Sequence, residues 1–90
     1  MSRQRSIEAI EASEYVTIGE LVRLTGTRYS TLKFYTEEGF IPFEQKEQRL
    51  TRRYPRQTSV QRIEQIQRLR QQGRTIPEIR ELLRAQDDGE

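Results

Sequence analysis

Threonines that open helices and glycines that close them divide this chain of 90 residues into short segments. In Thr17-Ile18-Gly19-Glu20 the Thr17 hydroxyl is placed to accept from the Glu20 amide, and the Glu20 carboxylate to reach back to the Thr17 amide. That reciprocal pair is a capping box. The same spacing recurs at Thr58-Ser59-Val60-Gln61 and at Thr75-Ile76-Pro77-Glu78. In the last, proline stands early in the first turn, where its missing N–H costs little. Gly26, Gly39 and Gly73 stand where such helices would stop. Apolar residues recur at helical intervals between these marks: Ile18, Leu21, Val22 and Leu24; Leu32 and Tyr35, with Phe34 beside them; Val60, Ile63, Ile66 and Leu69; Ile76, Ile79, Leu82 and Leu83. The pattern predicts four helices. The first is about eight residues long, and the second runs from near Arg28 to Glu38. Joined through a turn containing Gly26, these two form a helix-turn-helix.

Residues 42–56 break the periodicity. Pro42 is followed by a polar run from Glu44 to Arg49; Leu50, Thr51 and Tyr54 then suit a short strand that Pro55 ends. This predicts a β-hairpin or extended loop, a wing, with a basic tip of Arg49, Arg52, Arg53 and Arg56. The fold class is therefore mainly α with a small β-hairpin: a winged helix-turn-helix followed by two further helices. Residues 1–14 are expected as a flexible polar leader, in which Ile7 and Ile10 would suit a short helix on a partner surface. Residues 15–86 form the domain, and residues 87–90 an acidic tail.

With 32% hydrophobic and 33% charged residues, the chain can bury one small core and no deep substrate cavity. It has no Cys and no His, which removes thiolate chemistry, disulfides, Cys/His zinc sites and the commonest general base. No calcium-loop spacing or glycine-rich phosphate loop is present. The neighbouring Glu37 and Glu38 point in different directions on a helix and make no acid–base pair. No enzyme activity, metal or cofactor is expected. The first fourteen residues lack the apolar stretch of a signal peptide, and no apolar run approaches membrane length, so a cytoplasmic setting is expected. Charge is uneven. Residues 23–75 hold twelve basic and five acidic side chains, a net of +7, between acidic flanks. Most of those cations are arginine, whose planar fork suits phosphates and base edges. Polyanions are plausible partners on that basis.

The second helix carries Arg28, Tyr29, Ser30, Thr31 and Lys33 near its start, a set suited to phosphates and to the edges of bases in a major groove. With Leu32 and Tyr35 turned to the core, Arg28, Tyr29 and Lys33 fall on the opposite side. The Tyr35 hydroxyl suits a phosphate or the surface equally. Arg52 and Arg53 lie on opposite faces of the wing strand.

In order along the chain, Tyr15-Val16-Thr17-Ile18-Gly19-Glu20-Leu21, Leu24-Thr25-Gly26, the run from Thr31 to Pro42, Thr51-Arg52-Arg53-Tyr54, Arg62-Ile63 and then Leu69, Gly73, Ile76, Glu78, Ile79, Leu82 and Leu83 resemble the MerR family of bacterial transcription regulators. The likeness covers about residues 15–84. It implies that the second helix enters the major groove while the wing grips the adjacent backbone. It also carries DNA contacts over to Thr31, Lys33, Tyr35, Arg52 and Arg53. This chain departs from the family in having Phe34 for a tyrosine, Thr51 for a tyrosine, and Arg28 for a Ser or Thr cap, which would pass the cap to Thr27. Family members continue into a dimerisation helix and an effector-binding part, so this chain reads as a fragment of a longer regulator or as a stand-alone binder. Metal-sensing members use cysteines, so no small-molecule effector is supported on these residues.

The expected DNA-binding set is thus Thr17, Arg28, Tyr29, Ser30, Thr31, Lys33, Tyr35, Arg49, Arg52, Arg53 and Arg56. The expected partner is double-stranded DNA in the bacterial nucleoid, with a homodimer through the terminal segments left open. Two rival readings stand beside sequence-specific regulation: an excisionase-like or plasmid-maintenance architectural DNA binder, and a protein-interaction module.

Overall fold

Seven short elements follow one another: α1 (Ile7–Glu11), β1 (Tyr15–Val16), α2 (Ile18–Thr25), α3 (Tyr29–Glu37), β2 (Tyr54–Pro55), α4 (Arg56–Gln71) and α5 (Ile76–Asp88). They come from a computed structural model that describes residues 4–48 and 50–89. The winged helix-turn-helix with two further helices is present as the residue pattern predicts.

The local signals act as their chemistry dictates. Thr17 and Glu20 form the capping box of α2, and Thr75 and Glu78 that of α5. Gly26, Gly39 and Gly73 all adopt positive φ. At Gly39 the stop is a full Schellman motif. Its amide donates to Thr36, and the Phe40 amide donates to Tyr35 at 2.9 Å. The Phe40 ring then packs on the Tyr35 ring, with centroids 6.1 Å apart. That contact turns the chain inward, and Ile41 is buried behind it.

The core is a single cluster that draws on every element: Ile10, Val16, Leu21, Leu32, Tyr35, Tyr54, Ile63, Ile66, Ile79 and Leu83, with Phe40 and Ile41 from the loop. Burying an aliphatic side chain contributes roughly 1.5–3 kcal/mol. The cluster therefore outweighs any surface ion pair here, since such pairs contribute roughly 0–1 kcal/mol.

Several expectations are corrected. Residues 4–14 of the leader are not a loose tail. Ser6 caps α1 by accepting from the Ala9 amide, and Ile10 has no exposed surface. Ile10 is thus packed within its own chain and not offered to a partner. The acidic end is likewise tied down: α5 runs to Asp88, and Asp87 pairs with Arg62 at 2.6 Å. The Thr58–Gln61 box is not used. The chain leaves β2 already in register to begin α4 at Arg56, with Pro55 as its cap and no side-chain cap bond. Ser59 therefore lies within the helix, fully buried, with no partner for its hydroxyl among the described residues.

Among the described residues, the hairpin of residues 42–56 is held by one antiparallel bridge, Glu44 with Arg53, rather than by a ladder. Its outgoing strand pairs instead with β1, Val16 facing Tyr54 and Tyr15 facing Pro55. The Tyr15 hydroxyl donates to Glu44 at 2.6 Å and fixes the base of the wing to β1. In the wing, Gln45 donates to the carbonyl of Leu50 at 2.6 Å. Arg49 lies outside the described residues.

Candidate nucleic-acid interface

The turn of the helix-turn-helix is pinned from below. Gly26 takes a left-handed conformation (φ 69°), and its amide donates to Val22. Thr27 then turns inward, and its hydroxyl accepts from the Gln67 side chain of α4 at 2.6 Å. Thr27 therefore does not cap α3. The cap position is Arg28, which makes no side-chain cap bond. With no hydroxyl at this cap, the first amides of α3 have no side-chain acceptor among the described residues. Arg28 itself is exposed.

From this start α3 splits the expected residues between two sides. Tyr29, Lys33 and Glu37, four apart, line a cleft against the wing together with Gln45, Thr51 and Arg52. Ser30, Thr31 and Phe34 line a different cleft, against Gln67, Arg70 and Gln71 of α4. Tyr35 is 5% exposed, and what remains open of it faces this second cleft. Burial pushes its phenol up.

The two wing arginines alternate as a pleated strand requires. Arg52 turns toward α3, where its guanidinium lies 4.6 Å over the Phe43 ring and 3.1 Å from the Glu37 carboxylate. Arg53 turns the other way and lies 5.0 Å over the Tyr15 ring. Cation–π contacts of this kind hold a guanidinium in place while leaving its N–H groups available. Arg56 is not at the wing tip. It opens α4, and its Nε donates to the Ser13 carbonyl at 2.7 Å.

Two further cations border the same surface, and the sequence reading passed over both. Arg5 grips Glu20 with two nitrogens at 2.8 Å each and donates to Ser13 with a third. This guanidinium, aided by the Thr17 amide, holds the Glu20 carboxyl at about 2, well below its usual range. Arg23 donates to the Arg5 carbonyl at 2.6 Å. Thr17 is engaged with Glu20 as the cap of α2, beside both Arg5 and Arg53. The spacing of Ile7 and Ile10 was the available hint that the leader packs down; nothing in Arg5 itself gave a signal.

Known proteins agree with this architecture. The family model described as "MerR HTH family regulatory protein" matches residues 16–86. The chain belongs to the MerR family. A MerR-family helix-turn-helix is a DNA-binding, transcription-regulating element, and the match spans both helices of the turn, the wing and the two helices beyond. The chain is also 34% identical over 76 residues to the "Mercuric resistance operon regulatory protein" of Serratia marcescens, which covers 84% of this chain and 51% of that protein. It thus spans about half the length of that MerR relative. No solved structure matches the chain.

Proposed function

We propose that this MerR-family chain binds double-stranded DNA in a sequence-specific manner, as the DNA-reading part of a bacterial transcription regulator. In this reading α3 lies in the major groove, where Arg28, Tyr29 and Lys33 meet base edges or nearby phosphates. Arg52 and Arg53 hold the flanking backbone. The supporting observation is that Tyr29 and Lys33 of α3 share one cleft with Thr51 and Arg52 of the wing. A recognition helix and a backbone-gripping loop must present one continuous face, and these residues do. Ser30 and Thr31, turned toward α4, serve the backbone on the far side of the helix. A helix-turn-helix protein commonly reads a two-fold site as a dimer, and pairing through a terminal segment belongs to this proposal. Regulation of an operon, the activity named for the Serratia relative, is the role proposed here, in the bacterial cytoplasm.

Titration against duplex DNA over a range of salt tests the reading. Each phosphate neutralised contributes about 0.9 to the slope of log affinity against log salt. Replacing Arg52 and Arg53 together by alanine is expected to lower that slope by about 1.8, equally on cognate and random duplexes. Selection of bound duplexes from a random pool should return a common motif. Binding without salt dependence, or no shift of any duplex at low salt, overturns the proposal and leaves the basic face to an acidic protein partner.

A further inference from the structure

We infer that the DNA interface extends to Arg23 of α2, which makes a backbone-phosphate contact beside the recognition helix, and that Arg5, in the segment ahead of β1, sets it in place. The inference rests on the DNA-binding reading above and extends its footprint to residues that the family likeness did not supply.

Position is the first argument. A cleft lined by Arg5, Glu20, Arg23, Tyr29 and Thr51 adjoins the cleft between α3 and the wing, and the two share Tyr29 and Thr51. On its other side it shares Arg5, Thr17 and Glu20 with the cleft beside Tyr15 and Arg53. The leader thus fills the gap between the surroundings of the two wing arginines. Those surroundings form one belt rather than two separate patches.

Charge is the second. Glu20 is the acid that lines this cleft, and a bare carboxylate there would repel a phosphate. Arg5 neutralises it with a two-pronged grip. Arg23 is exposed, and it has no ion-pair partner among the described residues. It donates to a neutral carbonyl through a single nitrogen. A guanidinium carries five N–H donors, so most of its donors are available to phosphate oxygens. The patch keeps one net positive charge, carried by Arg23.

Rigidity is the third. The Arg5 carbonyl that orients Arg23 belongs to a segment anchored by Ile10, by the Ser6 cap and by the Glu20 grip. Part of the ordering cost of an arm on DNA is therefore already met within the free protein. In helix-turn-helix proteins the first helix of the pair crosses the sugar–phosphate backbone. Arg23 is on the last turn of that helix, α2.

The test compares wild type, Arg23→Gln, Arg23→Lys, Arg5→Ala and Arg52→Ala in salt titrations on one cognate and one random duplex, with circular dichroism as a check on folding. Arg23→Gln should lower the salt slope by about 0.9 on both duplexes, and Arg23→Lys should restore it. Arg5→Ala should lower the slope more when Arg23 is present than in the Arg23→Gln background, where only the uncovered Glu20 charge acts. A merely structural role for Arg5 predicts the same loss in both backgrounds. Should Arg5→Ala fail to fold, the Arg23 Nε–H resonance of the wild type serves instead: it should shift on adding duplex. An unchanged slope for Arg23→Gln beside a reduced one for Arg52→Ala, or a static Arg23 resonance, overturns the inference while the DNA reading stands. Salt-independent behaviour of every protein, wild type included, overturns that reading itself.

Discussion

Glu37 lies on the face proposed to meet DNA, and its carboxylate holds Arg52 at 3.1 Å. The two side chains are 56% and 36% exposed. Exposed pairs of this kind are worth about 0.2–1 kcal/mol. A phosphate that takes Arg52 must displace Glu37 or share the guanidinium with it, so the free protein holds back that amount. Glu37→Gln keeps the size of the side chain and removes its charge. The variant is expected to bind every duplex more tightly, by up to about fivefold at low salt, the factor that corresponds to 1 kcal/mol. The gain should shrink as salt rises, because an exposed charge is screened over about 10 Å at 0.1 M. Fluorescence anisotropy with a labelled duplex at several salt concentrations measures this directly. The decisive comparison is a double-mutant cycle with Arg52→Ala, in which most of the gain should disappear. Weaker binding by Glu37→Gln would refute the reasoning and mark Glu37 as a residue that aims Arg52. A gain of equal size in the Arg52→Ala background would refute it too, by tracing the effect to general repulsion.

Two further outcomes follow from the fold. Glu20 titrates at about 2 in the folded chain against an ordinary value of 4.5, so its grip on Arg5 stabilises the fold above about pH 4.5 and that contribution is lost as pH falls toward 2. Urea unfolding across this window should show a smaller decline in stability for Glu20→Gln than for wild type; an identical decline would refute the assignment. The Thr36 hydroxyl lies 3.0 Å from the buried Tyr54 hydroxyl and also donates to the Leu32 carbonyl. Thr36→Val removes the Thr36 partner of the buried Tyr54 hydroxyl and should cost about 1–3 kcal/mol, whereas the double variant with Tyr54→Phe should recover most of that loss in denaturant unfolding.

What the sequence disclosed was largely what is decided within one turn of chain. The boxes at Thr17 and Thr75 and the stops at Gly26, Gly39 and Gly73 involve partners three to five residues apart, so their chemistry can be read directly. The inward turn of Leu32 and Tyr35, and the outward turn of Tyr29 and Lys33, follow from helical period alone. Thr58 shows the limit of this local reading. Its box has the right residues, but the β1–β2 pairing delivers the chain into α4 earlier, and tertiary structure overrides the cap. The grip of Arg5 on Glu20, the Gln67 bond to Thr27 and the docking of Ile10 all join residues far apart in sequence. Nothing in any one of those residues announces its partner. The candidate face was legible in Lys33, Arg52 and Arg53 for the same local reasons. It was incomplete at Arg5 and Arg23, because their surroundings exist only once the leader has folded back.

The smallest element has the widest reach. Pairing Tyr15 with Pro55 closes a loop that contains α2, the turn, α3 and the wing. Closing a long loop carries an entropy cost that only later contacts recover. Non-local pairing of this kind slows folding relative to the helices it joins. The surface that carries Thr17, Lys33, Arg52 and Arg53 lies within that closed loop or at its edge. Amide exchange in the two strands of two residues each should report the opening of that closure.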